Sequence, residues 1–330
     1  MKNEVIRNCT FEEMARLIAG SSSIFIFPHE NADGDAIGST CALCHQFRLM
    51  GKDSWVIRND REVAANLCFM DKGYTTDDPS GLPAPDLCLA VDASALDRFP
   101  RSAPWFRTGK VSAALDHHLV KEPAADYYLV DPSAAASGEL VLDLLHALGA
   151  DLDRETAEDL FAAITTDTGN FQYSNTSART HRAVAELYET GFDAAHVSNL
   201  LFESERPQKI LLKGICLSRL QLLAGGRLAM AFVSQEDLAK AGAVMSDSEG
   251  IVAELRSIAG VEAAILAKEE ADGVHVSFRA KEELNVQALA ASFGGGGHLR
   301  AAGATLKMPL AAALTALRTK AEEALAEMEA

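Results

Sequence analysis

His29, Asp33 and Asp35, in the segment His-Glu-Asn-Ala-Asp-Gly-Asp, stand with Asp92, the run Asp116-His117-His118 and Asp167 as a set of hard metal ligands. Asp33, Asp35, Asp92 and Asp167 offer oxygen, while His29 and His117 offer imidazole. Mn2+ or Mg2+ accepts that donor mixture, Co2+ would also fit, and the imidazoles tilt the choice toward manganese. A backbone bend at Gly34 would turn both flanking carboxylates into one crevice. Asp92 could bridge two ions, with His117 and Asp167 completing the second. Paired ions about 3.5–4 Å apart stabilise both the attacking and the leaving oxygen of a displacement at phosphorus. The expected chemistry is therefore hydrolysis of a phosphate ester. Taken singly, each piece has a plainer reading: Asp-Gly-Asp as a solvated turn, Val91-Asp92 as a helix cap or loop anchor, and Asp167 as a helix end. Those readings share no common cause, and adjacent histidines rarely have a structural one, so the joint reading as a metal centre is preferred.

The elements that must carry these groups are legible as apolar periodicity. Ile24 to Phe27 reads as a buried strand, Ala36 to Met50 as a helix and Trp55 to Ile57 as the next strand. Leu87 to Val91 and Val111 to Leu115 are further apolar runs, ending against Asp92 and Asp116. Helical patterns follow over Gly138 to Leu148 and Arg154 to Thr165. This alternation predicts an α/β fold with a mostly parallel, helix-covered sheet, whose ligands gather at the carboxyl ends of the strands.

The stretch Ser177 to Leu223 is helical in pattern, with Pro207 as its one interruption, and reads as a connection. Beyond it, Leu228 to Val233, Ala263 to Ala267 and Val274 to Phe278 read as strands of a smaller α/β domain. Leu310, Leu314, Leu317, Ala321 and Leu325 recur at helical spacing in the tail. Arg279 ends a strand and is a candidate phosphate clamp, because a guanidinium can bind two oxygens at once. The run Gly294 to Gly297 lets main-chain N–H groups approach an anion without obstruction, and His298 follows directly. Gly295, Gly296, Gly297 and His298 join Arg279 as candidate substrate-binding residues.

Composition narrows the partners. The chain has 330 residues, enough for two domains of ordinary size, and a formal charge of −17. Proteins that hold long nucleic acid use basic surfaces, so a long duplex is not an expected partner. No stretch approaches the roughly 18 apolar residues of a membrane span, and the first residues, of mixed charge, lead into no apolar core, so a cytoplasmic protein without a membrane partner is expected. Six scattered cysteines suit a reducing compartment. Cys41 and Cys44 form C-x-x-C but share a helical face with Ile37 and Phe47, which points both thiols into the core.

The order His29 to Ser39, Val91-Asp92, Asp116-His117-His118 and Asp167 to Phe171 resembles the DHH phosphoesterases. Gly294 to His298, followed by Ala301-Ala302-Gly303, resembles the associated DHHA1 domain. Ala32 departs from the pattern, which commonly has proline there, but removes no ligand. Within the family the chain looks most like the oligoribonuclease and phosphoadenosine phosphate (pAp) phosphatase branch, the nanoRNases.

The resemblance implies a DHH catalytic domain over 1–190, a helical linker over 191–222 and a DHHA1 substrate-binding domain over 223–330. It implies that His29, Asp33 and Asp92 hold a first metal, and Asp35, Asp92, His117 and Asp167 a second. His118 would face the substrate phosphate as a catalytic group, and Asp116 would orient the imidazoles. Expected substrates are short single-stranded RNA, dinucleotides and pAp, with activity falling as oligomers lengthen; a homodimer is compatible with the pattern. Related activities share parts of it. A cyclic dinucleotide phosphodiesterase and a family II-like inorganic pyrophosphatase are the alternatives, although the pyrophosphatases lack the Gly-Gly-Gly-Gly-His segment. RecJ-like exonucleases would carry further nucleic-acid-binding parts, and a non-catalytic nucleotide-binding protein would have lost ligands that are all present here.

Overall fold

A computed structural model describes residues 5–120 and 122–327. It divides into two compact units at Ser204 and Glu205.

The first unit is built on a seven-stranded sheet of β1 (Ile6–Arg7), β2 (Ser23–Phe27), β3 (Asp53–Ile57), β4 (Thr75–Thr76), β5 (Leu87–Val91), β6 (Val111–Asp116) and β7 (Tyr127–Val130). Its order is β1-β7-β6-β5-β2-β3-β4. All pairings are parallel except that of β1 with β7. Strands of such a sheet are buried on both faces, so they read as unbroken apolar runs. Ile24 and Ile26 enter one core, while Phe25 and Phe27 enter the other with Phe99 and Phe106. From the adjacent pair β2 and β5 the chain proceeds in opposite directions, to β3 on one side and β6 on the other. The crevice beyond their carboxyl ends is thus the switch point where doubly wound sheets bind ligands, and His29 and Asp92 lie just past those ends.

Helices α1 (Phe11–Gly20), α2 (Gly34–Leu49), α3 (Ala103–Phe106), α4 (Ser137–Leu148), α5 (Arg154–Asp167), α6 (Ala178–Glu189) and α7 (Ala194–Phe202) complete this unit. The Asp33 side chain caps α2 by accepting from the N–H groups of Asp35 and Ala36, each at 3.1 Å. A Cβ on Gly38 would meet the Asp159 carbonyl oxygen at 2.4 Å, so glycine is what lets α2 lie against α5. That contact sets Asp33 and Asp35, at the start of α2, relative to Asp167, the last residue of α5. Cys41 and Cys44 are fully buried on α2, and burial pushes the Cys44 thiol up to about 11.

The second unit comprises helices α8 (Pro207–Leu217), α9 (Gln235–Ala241), α10 (Ile251–Ser257), α11 (Val286–Ala291) and α12 (Leu310–Glu327) around a six-stranded sheet. Its strands are β8 (Gln221–Leu223), β9 (Leu228–Val233), β10 (Ala263–Glu270), β11 (Gly273–Ala280), β12 (Gly296–His298) and β13 (Ala301–Leu306), ordered β12-β13-β11-β10-β9-β8. Only β9 and β10 pair in parallel; the other pairs are antiparallel. Alternate residues of β10 face opposite cores. Ala263, Ile265 and Ala267 meet α11 and α12, whereas Ala264 and Leu266 meet α8, α9 and α10.

The stretch expected to be a linker, 191–222, is shared out between the units. Ala194, Val197 and Leu201 of α7 are buried in the first core, and Leu212 and Cys216 of α8 in the second. Pro207 does not interrupt a helix but begins α8, where a missing N–H costs nothing. None of the described helices is long and apolar enough to cross a membrane.

Candidate metal centre

The expected ligands of the first unit, with His118, reach their places from five elements. His29 follows β2, Asp33 and Asp35 open α2, Asp92 follows β5, His117 and His118 follow β6, and Asp167 ends α5. His29, Asp35 and Asp92 are buried, and His118 is half exposed.

Two groups meet at Asp92. The ligand atoms of His29, Asp33 and Asp92 lie within 4.8 Å of one another, as do those of Asp35, His117 and Asp167. Asp92 faces both: Oδ2 is 3.3 Å from His29 Nε2, and Oδ1 is 3.4 Å from His117 Nε2. Its backbone has φ of 62°, a left-handed conformation uncommon for residues other than glycine. Two bonds hold it there. The Asp92 N–H donates to the Leu115 carbonyl at 3.0 Å, and Ser137 Oγ donates to Asp92 Oδ1 at 2.9 Å.

The donor set fits divalent cations. His117 Nε2 is buried without a hydrogen-bond partner, yet Asp167 Oδ2, Asp92 Oδ1 and Asp35 Oδ2 stand 3.2, 3.4 and 3.7 Å away. Buried carboxylates clustered in this way carry a large desolvation cost unless cations compensate them. The titration of the cluster expresses that stress. Burial first, then the charges of Asp92, Asp167 and Asp33, raise the Asp35 carboxyl well above its ordinary range. Burial raises Asp167 to about 6, with His117 opposing and Asp92 adding to the shift. Burial also works against charge on His29, but the Asp33 and Asp92 carboxylates outweigh it and lift the imidazole to about 10.

Partners on the protein fix the orientation of these groups. His29 Nδ1 lies 2.8 Å from the Glu30 carbonyl, which leaves Nε2 toward the carboxylates. Asp116 Oδ1 accepts from the His118 main-chain N–H at 2.9 Å and lies 3.0 Å from His118 Nδ1. It therefore orients His118 alone; the His117 Nδ1 faces the Ala134 carbonyl at 3.4 Å instead. Ser94 Oγ holds the other Asp116 oxygen at 2.6 Å. Asn175 Nδ2 donates to the carbonyls of Ala135 and Asp167, each at 3.0 Å, tying the loop before α4 to the end of α5. Sequence reasoning missed Ser94, Ser137 and Asn175. Ser137 was recoverable as the start of a helical pattern, but nothing local marks the other two.

In the second unit, Arg279 on β11 pairs across the sheet with Ala301, which in turn pairs with His298. Directly opposed residues of antiparallel strands share a face, so Arg279 and His298 lie on one side of the sheet. The glycines divide by cause. A Cβ on Gly295 would meet the Gly303 carbonyl oxygen at 2.1 Å, and one on Gly297 the Ala301 oxygen at 2.6 Å, so both serve the close approach to β13. Gly296 has open space above it and no unusual φ, so packing within the chain does not require glycine there.

Residues 23–166 match the family model for the N-terminal domain of the DHH family, and residues 225–327 match that of the DHHA1 domain. A Thermus thermophilus protein named bifunctional oligoribonuclease and PAP phosphatase NrnA is 32% identical over 292 residues, 88% of this chain and 86% of its own length. A Bacillus subtilis protein of the same name is 28% identical, over 89% of this chain and 92% of its own length. Among solved structures, an exopolyphosphatase-related protein from Bacteroides fragilis superposes with a TM-score of 0.85 at 24% identity, covering 95% of both chains. An exonuclease RecJ bound to manganese reaches 0.54 at 17% identity, covering 95% of this chain and 93% of its own. With both domain models matched in order and a relative 32% identical over 86% of its own length, the chain belongs to the DHH/DHHA1 phosphoesterase family.

Proposed function

We propose that this chain is a two-metal phosphoesterase that hydrolyses short oligoribonucleotides to mononucleotides and pAp to AMP. The observation that carries the reading is Asp92, whose two oxygens face His29 and His117 respectively. His29, Asp33 and Asp92 would hold one ion, and Asp35, Asp92, His117 and Asp167 the other. Mn2+ suits the mixture of carboxylate and imidazole, with Mg2+ or Co2+ as substitutes. Bound ions supply water activation and neutralise charge at the phosphoryl group.

The chain's own residues do the rest. Asp116 holds His118 by Nδ1, which leaves its half-exposed ring to donate to a phosphate oxygen or to the leaving oxygen. Arg279, Gly295, Gly296, Gly297 and His298 would bind a non-reacting part of the substrate. The relatives' names state both activities. The charge of −17 opposes long duplexes, while a short anion can be held by ions and a few cations.

The test is a panel with purified protein and Mn2+: RNA and DNA of two to six nucleotides, a 25-mer, pAp, cyclic di-AMP and pyrophosphate. Dinucleotides and pAp should be the fastest substrates and the 25-mer the slowest. Faster turnover of pyrophosphate or cyclic di-AMP would overturn the assignment.

A further inference from the structure

Arg279 opposes Ala264 of β10 as well as Ala301 of β13. Ala264 belongs to the core beneath α8, α9 and α10. Arg279 therefore projects on the α10 side of the sheet, while its neighbours Phe278 and Ala280 enter the opposite core. Helix α10 packs on β10 and β11 through buried Ile251, Val252 and Leu255. Arg256 follows Leu255 in the last turn of that helix, and its charge is felt at Arg279. Burial, then Arg256, lowers the Arg279 pKa.

Neither guanidinium is compensated. Among the described residues Arg256 has no hydrogen bond or ion pair from its side chain, and Arg279 has one bond, from Nη1 to the Phe278 carbonyl at 2.9 Å. The chain does not lack acids, having 47 against 30 basic residues. Two other guanidiniums of this unit are paired with acids: Arg219 grips both oxygens of Asp237 at 2.6 and 2.7 Å, and Arg206 reaches Asp247 at 3.3 Å. Glu254, two residues before Arg256, is turned to Lys213. Two partly buried like charges repel, and an anion between them would remove that cost. The open space over Gly296 and the row Arg279, Ala301, His298 lie on the same side of the sheet.

We propose that Arg256 joins Arg279 to form a site for a terminal phosphate of the substrate, a phosphomonoester, in preference to an internal diester. This deepens, and rests on, the reading of the chain as a hydrolase of short nucleotides. Two guanidiniums match the charge of about −1.5 to −2 on a phosphomonoester, whereas a diester carries half as much. Each can also bind two of its oxygens at once. Arg256 is a specificity residue here, apart from the reacting centre.

The experiment has two arms. In metal-free buffer, calorimetric titration compares AMP with adenosine on the wild type and on Arg256→Gln, Arg256→Lys and Arg279→Gln. Either Gln variant should lose roughly tenfold to a hundredfold in AMP affinity, the worth of charge-assisted hydrogen bonds, and Arg256→Lys should recover part of it. With Mn2+, the wild type should prefer the 5′-phosphorylated dinucleotide pApA over ApA in kcat/KM, and Arg256→Gln should collapse that preference. AMP affinity and the pApA preference both unchanged in Arg256→Gln would overturn the site. If the wild type cleaves neither dinucleotide while AMP binding still depends on Arg256, the functional reading fails and the phosphate site stands.

Discussion

The main-chain N–H of Ser137 donates to Asp35 Oδ2 at 2.6 Å, across 102 positions of sequence. Gly138 N–H donates to Oδ1 at 2.9 Å, so both oxygens of Asp35 receive the first N–H groups of α4. That helix has no side-chain cap of its own, because Ala136 stands where one would be. Asp35 is thus a helix cap supplied by another element as well as a candidate ligand, and the dipole of α4 favours its charge. Asp35→Ala should cost about 1–3 kcal/mol in urea unfolding through the unsatisfied N–H groups. Asp35→Asn keeps an acceptor, so it should cost less stability while still weakening Mn2+ binding in calorimetric titration. Equal stability losses for the two variants would contradict the capping role.

Ser137 makes a second, separable contribution through its hydroxyl, which holds Asp92 Oδ1 at 2.9 Å. Groups that orient metal ligands typically account for about 10–100-fold in metal affinity or activity. Ser137→Ala should fall in that range, with the α4 cap intact because the main-chain N–H is retained. Asp92→Ala, which removes the shared carboxylate, should exceed it. Near wild-type turnover of Asp92→Ala at saturating Mn2+ would contradict the two-ion assignment.

The pieces legible in the sequence are those whose chemistry is local. Strands β2, β5 and β6 show as apolar runs because both of their faces are buried, and the groups just past their ends were readable with them. The partners that aim those groups come from elsewhere: Ser94 reaches Asp116 across 22 positions and Asn175 reaches Ala135 across 40. No periodicity encodes such pairings. The two-residue strands β1 and β4 are too short to leave a pattern, and Arg256 gains meaning only once α10 lies on β11. The breaks between α6, α7 and α8 had local signals all the same, in the cap Asp193 and in Pro207.

Gly38 offers a test of how the two halves of the cluster are held in register. A methyl group there meets the Asp159 carbonyl oxygen at 2.4 Å and the Ala163 N and Cβ at 3.1 Å. Backbone cannot yield as a side-chain tip can, so α2 and α5 must separate. Gly38→Ala should destabilise by about 1–3 kcal/mol, the usual range for overpacking, despite the better helix propensity of alanine. Turnover should fall with it, because Asp33 and Asp35 ride on α2 and Asp167 on α5. A rise in melting temperature with unchanged kcat would show that the helices are not in the contact described.

Asp159 gives the fold a pH dependence that is separate from the metal ligands. It lies in α5 at 1% exposure, and neither carboxylate oxygen has a hydrogen-bond partner. Burial raises its pKa well above the ordinary value; the Lys72 charge opposes this, and Glu155, Glu158 and Asp153 add to it. An acid with a higher pKa folded than unfolded binds its proton more tightly in the folded state. Its contribution is fully present below the unfolded pKa, near 4, and is lost as pH rises toward the folded value. Asp159→Asn cannot ionise, so it should match the wild type more closely at pH 5 and exceed it by about 1–3 kcal/mol at pH 8. Urea unfolding of both proteins at the two pH values, in chelator to keep the metal ligands out of the comparison, measures the difference. A stability gap that does not change with pH would mean that Asp159 finds a partner when ionised.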